Sequence, residues 1–415
     1  MMKKKIPILF FLLSHSFFIA CSQDNNLIEQ LLLQNKSKFE AVVNNPAKFE
    51  LQIIYTQIDR DKHNVPYFTE YKYRVDKSQY FYPASSIKFP AAVLALHKIN
   101  ELNIKGLSKN SRMQIDSAYK EQTKVLYDSS SFNLRPSIAH YIKKLFITSD
   151  NDAFNRLYEF LGQQYLNETL HKKGYLDARI IHRLAVGDGG ERAKYTNPMS
   201  FYQNNKLIYQ QPLQFNDTTY SFPLKNETKG IGFMRKDKLV NEPMNFTTNN
   251  YMSLEALHAL LKTVIFPDNV PESMCFNLTN EDYKLLYKSM SILPKESDYP
   301  DYKKDTTIYD NHVKFFIYGT SPKINDKNIR IFNKIGLAYG YLIENAYIVD
   351  FDKKIEFMLS AVIYVNEDQI FNDDKYEYDT IGFPFLANFG KVIYEYELNR
   401  LREHKPQLGR YRVGD

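Results

Sequence analysis

A helix that is apolar on nearly every side has to be wrapped by the rest of its chain. This sequence places one directly behind a serine and a lysine. Ser85 and Lys88 stand three apart in Pro83-Ala84-Ser85-Ser86-Ile87-Lys88-Phe89-Pro90, and Ala91, Val93, Leu94, Leu96, Ile99 and Leu102 continue the apolar run. Helical neighbours three apart share a face, so Ser85 and Lys88 can touch. A serine hydroxyl is a poor nucleophile until a base takes its proton. A lysine that is desolvated, or set beside a second cation, has a lowered pKa and can be that base. In the first helical turn, free backbone N–H groups and the helix dipole also favour a developing oxyanion.

Ser-x-x-Lys alone is a weak signal. A second match, Ser117-Ala118-Tyr119-Lys120, lies in a polar stretch and is read as chance. Two further boxes follow: Ser149-Asp150-Asn151, and Lys334-Ile335-Gly336 just ahead of a strand pair. By itself the first of these suits a helix N-cap, and the second any strand with a glycine kink. The order of all three, each in its own local context, carries more than any one of them.

In that order the boxes resemble the active site of the penicillin-recognising serine enzymes, and specifically of the class A β-lactamase-like serine hydrolases. The resemblance runs from about Leu27 to Arg402. An amphipathic helix over Leu27–Val43 precedes strands at Leu51–Asp59 and Tyr67–Asp76. The Ser85 helix and a helical region with Ser149-Asp150-Asn151 come next. Strands at Tyr341–Phe351 and Ile355–Tyr364 turn at Asp352-Lys353-Lys354, and a last helix spans Phe383–Leu401. The resemblance implies an α/β (α+β) fold of the β-lactamase/transpeptidase type, with a five-stranded antiparallel sheet drawn from both chain ends and an all-helical lobe between them.

It also implies roles. Ser85 resembles the acylated nucleophile, Lys88 its proton acceptor and Ser149 the relay toward the leaving group. Lys334 resembles the cation that lowers neighbouring pKa values and attracts a substrate carboxylate. Asn151 resembles a donor to the substrate's amide carbonyl, and Asp150 reads as structural. The backbone N–H groups of Ser85 and of Leu337, beside Gly336, would form the oxyanion hole. This set of motifs is a known one.

Two departures stand out. Ile335 sits where the family has a hydroxyl that donates to the carboxylate, and a buried acceptor left unpaired costs about 1–3 kcal/mol. The family also carries a glutamate that activates the deacylating water, on a loop before a Thr-x-Pro-like segment. That segment resembles Thr196-Asn197-Pro198, and counting back gives Arg179-Ile180-Ile181-His182, with no carboxylate. Asp188 and Glu191 are out of register, and His182 is a conceivable substitute base. Without a substitute, an acyl-enzyme forms and hydrolyses slowly.

At the N-terminus, Lys3-Lys4-Lys5, an apolar stretch to Ile19 and Phe18-Ile19-Ala20-Cys21 resemble a lipoprotein signal, with Cys21 as the lipidated residue. The stretch is too short to span a bilayer, whereas several acyl chains give a stable anchor. The expected division is a signal peptide over 1–20, a linker over 21–26, a catalytic domain over 27–403 with an insert near 200–250, and a tail over 404–415. The implied partners are a small-molecule or peptidoglycan-derived amide substrate and the membrane, through the anchor, which places the chain in the cell envelope.

Removing the three signal lysines takes the formal charge from +6 to +3, too mild to imply nucleic acid. The nine histidines lack metal-ligand spacing, so no metal or other cofactor is expected. His97 reads as a core or edge residue and Cys275 as a small buried hydrophobe.

Overall fold

The computed structural model describes residues 27–187 and 189–412. The expected signal peptide over 1–20, Cys21 and Asp188 lie outside the described residues. The main sheet has five antiparallel strands: β1 (Gln52–Arg60), β2 (Pro66–Tyr73), β3 (Ile329–Ala338), β4 (Tyr341–Asp350) and β5 (Ile355–Tyr364). Their spatial order is β3-β4-β5-β1-β2, so the two chain ends meet where β5 pairs with β1, Gln52 opposite Val362.

Every residue of β4 is buried, as is nearly all of β5, because the sheet is covered on both faces. Successive side chains alternate between the covers. Ile53 and Tyr55 face one core, with α1 (Leu27–Gln34), α2 (Glu40–Asn44) and α9 (Phe383–Asn399). Ile54 and Ile58 face the other, with the helical lobe: α3 (Lys88–Leu102), α4 (Ile138–Ile147), α5 (Asn151–Leu161), α6 (Gln163–Lys172), α7 (Leu254–Ile265) and α8 (Asn280–Ser291).

Helix α3 is the axis of that lobe, buried from Lys88 through Ile99. A short 3-10 turn over Ala84–Ile87 precedes it, and Ala84 there takes a left-handed φ of 47°. Helix α4 starts at a Ser137 cap, and α7 starts at Ser253, whose hydroxyl accepts from Ala256 N at 3.1 Å. Asp350 holds the β4–β5 turn by accepting from Asp352 N and Lys353 N, each at 2.8 Å.

The expected first helix is broken, because a 3-10 turn over Lys36–Lys38 separates α1 from α2. The stretch expected as a tail is no tail up to Arg412. Tyr411 is buried against Phe266, Phe332 and Tyr347, and its hydroxyl donates to Ile265 O at 3.1 Å. The 200–250 region forms short hairpins rooted in the core. Phe201 and Phe246 are fully buried, and Phe246 packs against Tyr82 and Tyr339. Cys275 is half-buried rather than buried, its thiol donating to Pro267 O at 3.4 Å. His97 is a core residue, accepting from Asn277 N at 2.8 Å. Among the described residues no helix is long and apolar enough to cross a membrane.

Candidate active site

The three boxes converge where the 3-10 turn before α3, the α4–α5 junction and edge strand β3 meet. Gly336 explains how closely. A Cβ built on it would lie 2.5 Å from Pro83 O and 3.2 Å from Ser86 N, so β3 presses its bare backbone against the turn that carries Ser85. Residues 334 and 336 share a strand face, so the contact that seats Gly336 also aims Lys334 into the junction. Leu337, the next residue, is at the rim, 37% exposed.

Ser149 occupies the centre. Its backbone is left-handed, φ 58°, which turns the chain sharply between α4 and α5. Lys334 Nζ donates to Ser149 Oγ at 2.8 Å and to Ile335 O at 2.9 Å. From the other side, Lys88 Nζ lies 3.4 Å from Ser149 Oγ, donates to Asn151 Oδ1 at 2.6 Å and makes a close contact with Ser149 O. Asp150 caps α5 by accepting from Ala153 N at 2.7 Å, and Lys144 stands 3.6 Å from it.

Burial pulls the Lys88 pKa down to about 7, with Asp150 acting in the opposite direction. Burial, then Lys88 and then Lys314, hold Lys334 well below the ordinary lysine value, with Glu344 opposing. A neutral lysine amine has two N–H donors and one lone pair. Two donors match the two carbonyl-type oxygens that Lys88 meets, Ser149 O and Asn151 Oδ1. The lone pair is then left for a proton from a hydroxyl.

Ser85 itself is half-buried, and among the described residues nothing hydrogen-bonds its hydroxyl. The expected Ser85–Lys88 contact is therefore not closed, because Ser149 O and Asn151 Oδ1 take the two donors of the Lys88 amine and draw it toward Ser149. Such bonds are often long before a substrate is bound.

Ile335 does not face the cleft. It is 5% exposed and packs in the α9-side core, on the strand face opposite Lys334. Its apolar side chain thus satisfies that core, and it leaves no acceptor stranded in the site. On the same face, Lys314 Nζ donates to Asn333 Oδ1 at 2.5 Å and to Ile331 O at 2.9 Å. Asn333 and the Phe316 N–H in turn hold Glu344. Burial moves Lys314 down to about 7 and Glu344 up to about 7. The sequence reading missed this pair. Its available signal was one charged residue inside each of two apolar runs, Val313–Ile317 and Tyr341–Val349.

The loop after α6 shows what stands where a deacylating carboxylate was sought. Arg179 pairs with Glu227 at 2.9 Å. Arg183 Nε pairs with Glu159 at 3.0 Å, and Arg156 pairs with the same carboxylate at 3.1 Å. His182 Nδ1 lies 2.6 Å from Arg183 O, and Nε2 accepts from Asn250 N at 3.2 Å. That bond occupies the lone pair a general base would need. Asn155, one helical turn beyond Asn151, grips Leu184 by both backbone groups: its amide donates to Leu184 O at 3.0 Å and accepts from Leu184 N at 2.8 Å. An apolar residue therefore lies over the α5 face that carries Asn151, and Leu184 is 6% exposed.

Fold and site together define a β-lactamase/transpeptidase-like scaffold of the serine-enzyme type. A model of the beta-lactamase enzyme family matches residues 35–265, more than half of the chain, and the chain belongs to that family. Comparison with curated proteins finds no match.

Solved structures with a similar fold include a β-lactamase from Xanthomonas campestris pv. campestris, at 13% identity and TM-score 0.47, covering 89% of this chain and 98% of that one. A class A β-lactamase from Clostridium kluyveri is 14% identical over 88% of this chain and 98% of that one, TM-score 0.43. PBP-A is 14% identical over 89% and 95%, TM-score 0.45.

Proposed function

We propose that this protein is a serine acyl-transfer enzyme that opens β-lactams or related peptide-like amides, forming an acyl-enzyme on Ser85 that it releases slowly. The observation that carries the reading is the Ser149 hydroxyl standing between two buried amines, Lys334 at 2.8 Å and Lys88 at 3.4 Å. Lys88, its pKa lowered by burial to about 7, takes the Ser85 proton in its neutral form as Oγ attacks the amide carbonyl. The oxyanion is received by the N–H groups of Ser85 and Leu337, on the two backbones that Gly336 brings together. Ser149, bonded to Lys334, gives its proton to the leaving nitrogen as the amide C–N bond breaks and regains one from Lys88, which returns Lys88 to its neutral form. Asn151 gives its Oδ1 to Lys88, so its amide N–H groups remain for the substrate carbonyl.

Slow release follows from the loop. Leu184 is where Asn155 holds the chain over α5, His182 has its ring nitrogens engaged, and Glu159 sits between two arginines. None of them is free to activate water. The substrate class therefore extends to peptidoglycan-like peptides, with DD-peptidase or esterase turnover, as well as to β-lactams. The lipobox-like Cys21 supports a lipid-anchored protein of the cell envelope.

Intact mass followed over time after addition of a penicillin tests this, with Ser85→Ala as the control. The expected result is a persistent adduct on the native protein alone. Rapid return to the free mass with consumed penicillin would make the protein an efficient β-lactamase and overturn the slow-release part. No adduct and no consumption would refute acylation by β-lactams and leave a non-catalytic binding lipoprotein on the same scaffold.

A further inference from the structure

β3 carries Lys334 and the Leu337 N–H, and it is an edge strand, with β4 along one side. Lys314, in the segment before the strand and 2% exposed, grips it a second time. Its amine donates to Ile331 O at 2.9 Å and Asn333 Oδ1 at 2.5 Å, both on β3, and to Met290 O at 2.6 Å, near the end of α8. Asn333 extends the grip, because its amide donates to Val313 O at 2.7 Å and to the Glu344 carboxylate on β4. Glu344 stands opposite Ile335 in the β3–β4 register and also accepts from the Phe316 N–H.

The three acceptors around Lys314 match the three N–H donors of an ammonium group. A buried charged group gains little stability over well-packed apolar residues. What it adds is direction, since each bond fixes one atom of β3 against α8 or β4. Lys334 lies between Asn333 and Ile335 with its side chain on the other strand face. The grip on those two neighbours therefore sets where the Lys334 amine sits, 2.8 Å from Ser149 Oγ.

We propose, on the acyl-transfer reading of the cleft, that Lys314 is a positioning residue for it: from the far face of β3 it keeps Lys334 on Ser149 and the Leu337 N–H beside Ser85. It acts through the strand and touches no substrate.

The test is the limiting rate constant of acylation at saturating penicillin, read by intact mass, with the fraction of protein acylated recorded alongside. Lys314→Met keeps the apolar stem and removes three bonds. It should lower the rate constant by about 10- to 100-fold, the cost of misplacing reacting groups by up to about 1 Å. Glu344→Gln keeps the volume, removes one accepting oxygen and should lower the rate constant by less; it decides the matter if Lys314→Met does not fold. The control is Lys98→Met, which removes an equally enclosed amine bonded to Phe160 O, Leu161 O and Gln211 Oε1, away from β3. Lost stability alone reduces the fraction acylated and spares the rate constant, which is the result expected of that control. Native rate constants in both Lys314→Met and Glu344→Gln would overturn the role of Lys314 alone, as would equal slowing in Lys98→Met. Absence of any adduct on the native protein would overturn the acyl-transfer reading and this role with it.

Discussion

Replacing Gly336 with alanine isolates the contact that builds the site. The added methyl would sit 2.5 Å from Pro83 O and 3.2 Å from Ser86 N, both backbone atoms that cannot swing aside. A comfortable separation is about 3.5 Å, so β3 and the Ser85 turn must part by about 1 Å. Overpacking of this kind costs about 1–3 kcal/mol. The catalytic cost should be larger, because a displacement of about 1 Å lowers rate by about 10²-fold where two backbones must receive one oxyanion. The assay is the acylation rate by intact mass alongside a urea unfolding curve, with Gly409→Ala as control, since nothing lies within 4 Å of a Cβ there. Acylation of Gly336→Ala at the native rate with unchanged stability would refute the account of how Ser85 and Leu337 are brought together.

Other outcomes follow from groups already described. The acylation rate should rise with pH through about 7 and then level off, because Lys88 acts as its neutral amine and loses that form as pH falls; a flat profile from pH 5.5 to 9 would remove Lys88 as the base. Leu184→Glu should shorten the lifetime of the penicillin adduct, read by the return of free mass, because it puts a carboxylate on the chain that Asn155 clamps over α5. Ser149→Ala should slow acylation by about 10²–10⁴-fold without loss of fold, the range for removing a general acid–base relay.

Stability should also fall in acid through His258. This ring is fully buried between Thr56 and Ser360, at 2.8 and 2.7 Å, and burial lowers its pKa to about 3. Its folded pKa is below its unfolded one, so the stabilisation is present above about pH 6.5 and lost as pH falls toward 3, up to about 5 kcal/mol in all. Urea midpoints of the native protein and His258→Gln across that window check it, and parallel pH curves would count against the assignment.

What the sequence disclosed tracks how local each signal is. The β4–β5 turn and the apolar α3 are written in a few adjacent residues and fold as read. The three boxes were legible through their order, which resembles a known motif set, whereas the spacing of Ser85 and Lys88 predicted a contact that the structure leaves open. The break between α1 and α2 was not, since Lys36 and Lys38 suit a helix and only packing decides against it. Ile335 read as a defect because a linear motif does not say which sheet face a side chain takes. The buried Lys314–Asn333–Glu344 group and the Asn155–Leu184 clamp join residues far apart in the chain, so a local pattern can mark a single member but not the pairing. Tyr411 looked like tail for the same reason.

The meeting of β5 with β1 also sets an order of assembly. Those strands are joined through nearly the whole intervening chain, and closing a loop of roughly 300 residues has to precede any return from pairing them. The sheet that backs α3 is incomplete until residues near 364 are available, so a chain emerging from its N-terminus cannot bury Ser85's helix early. Folding should be slow relative to domains built from neighbouring contacts, with the apolar α3 exposed in the meantime. Truncation after β4 should therefore cost the whole protein, Ser85 included, rather than one edge of it.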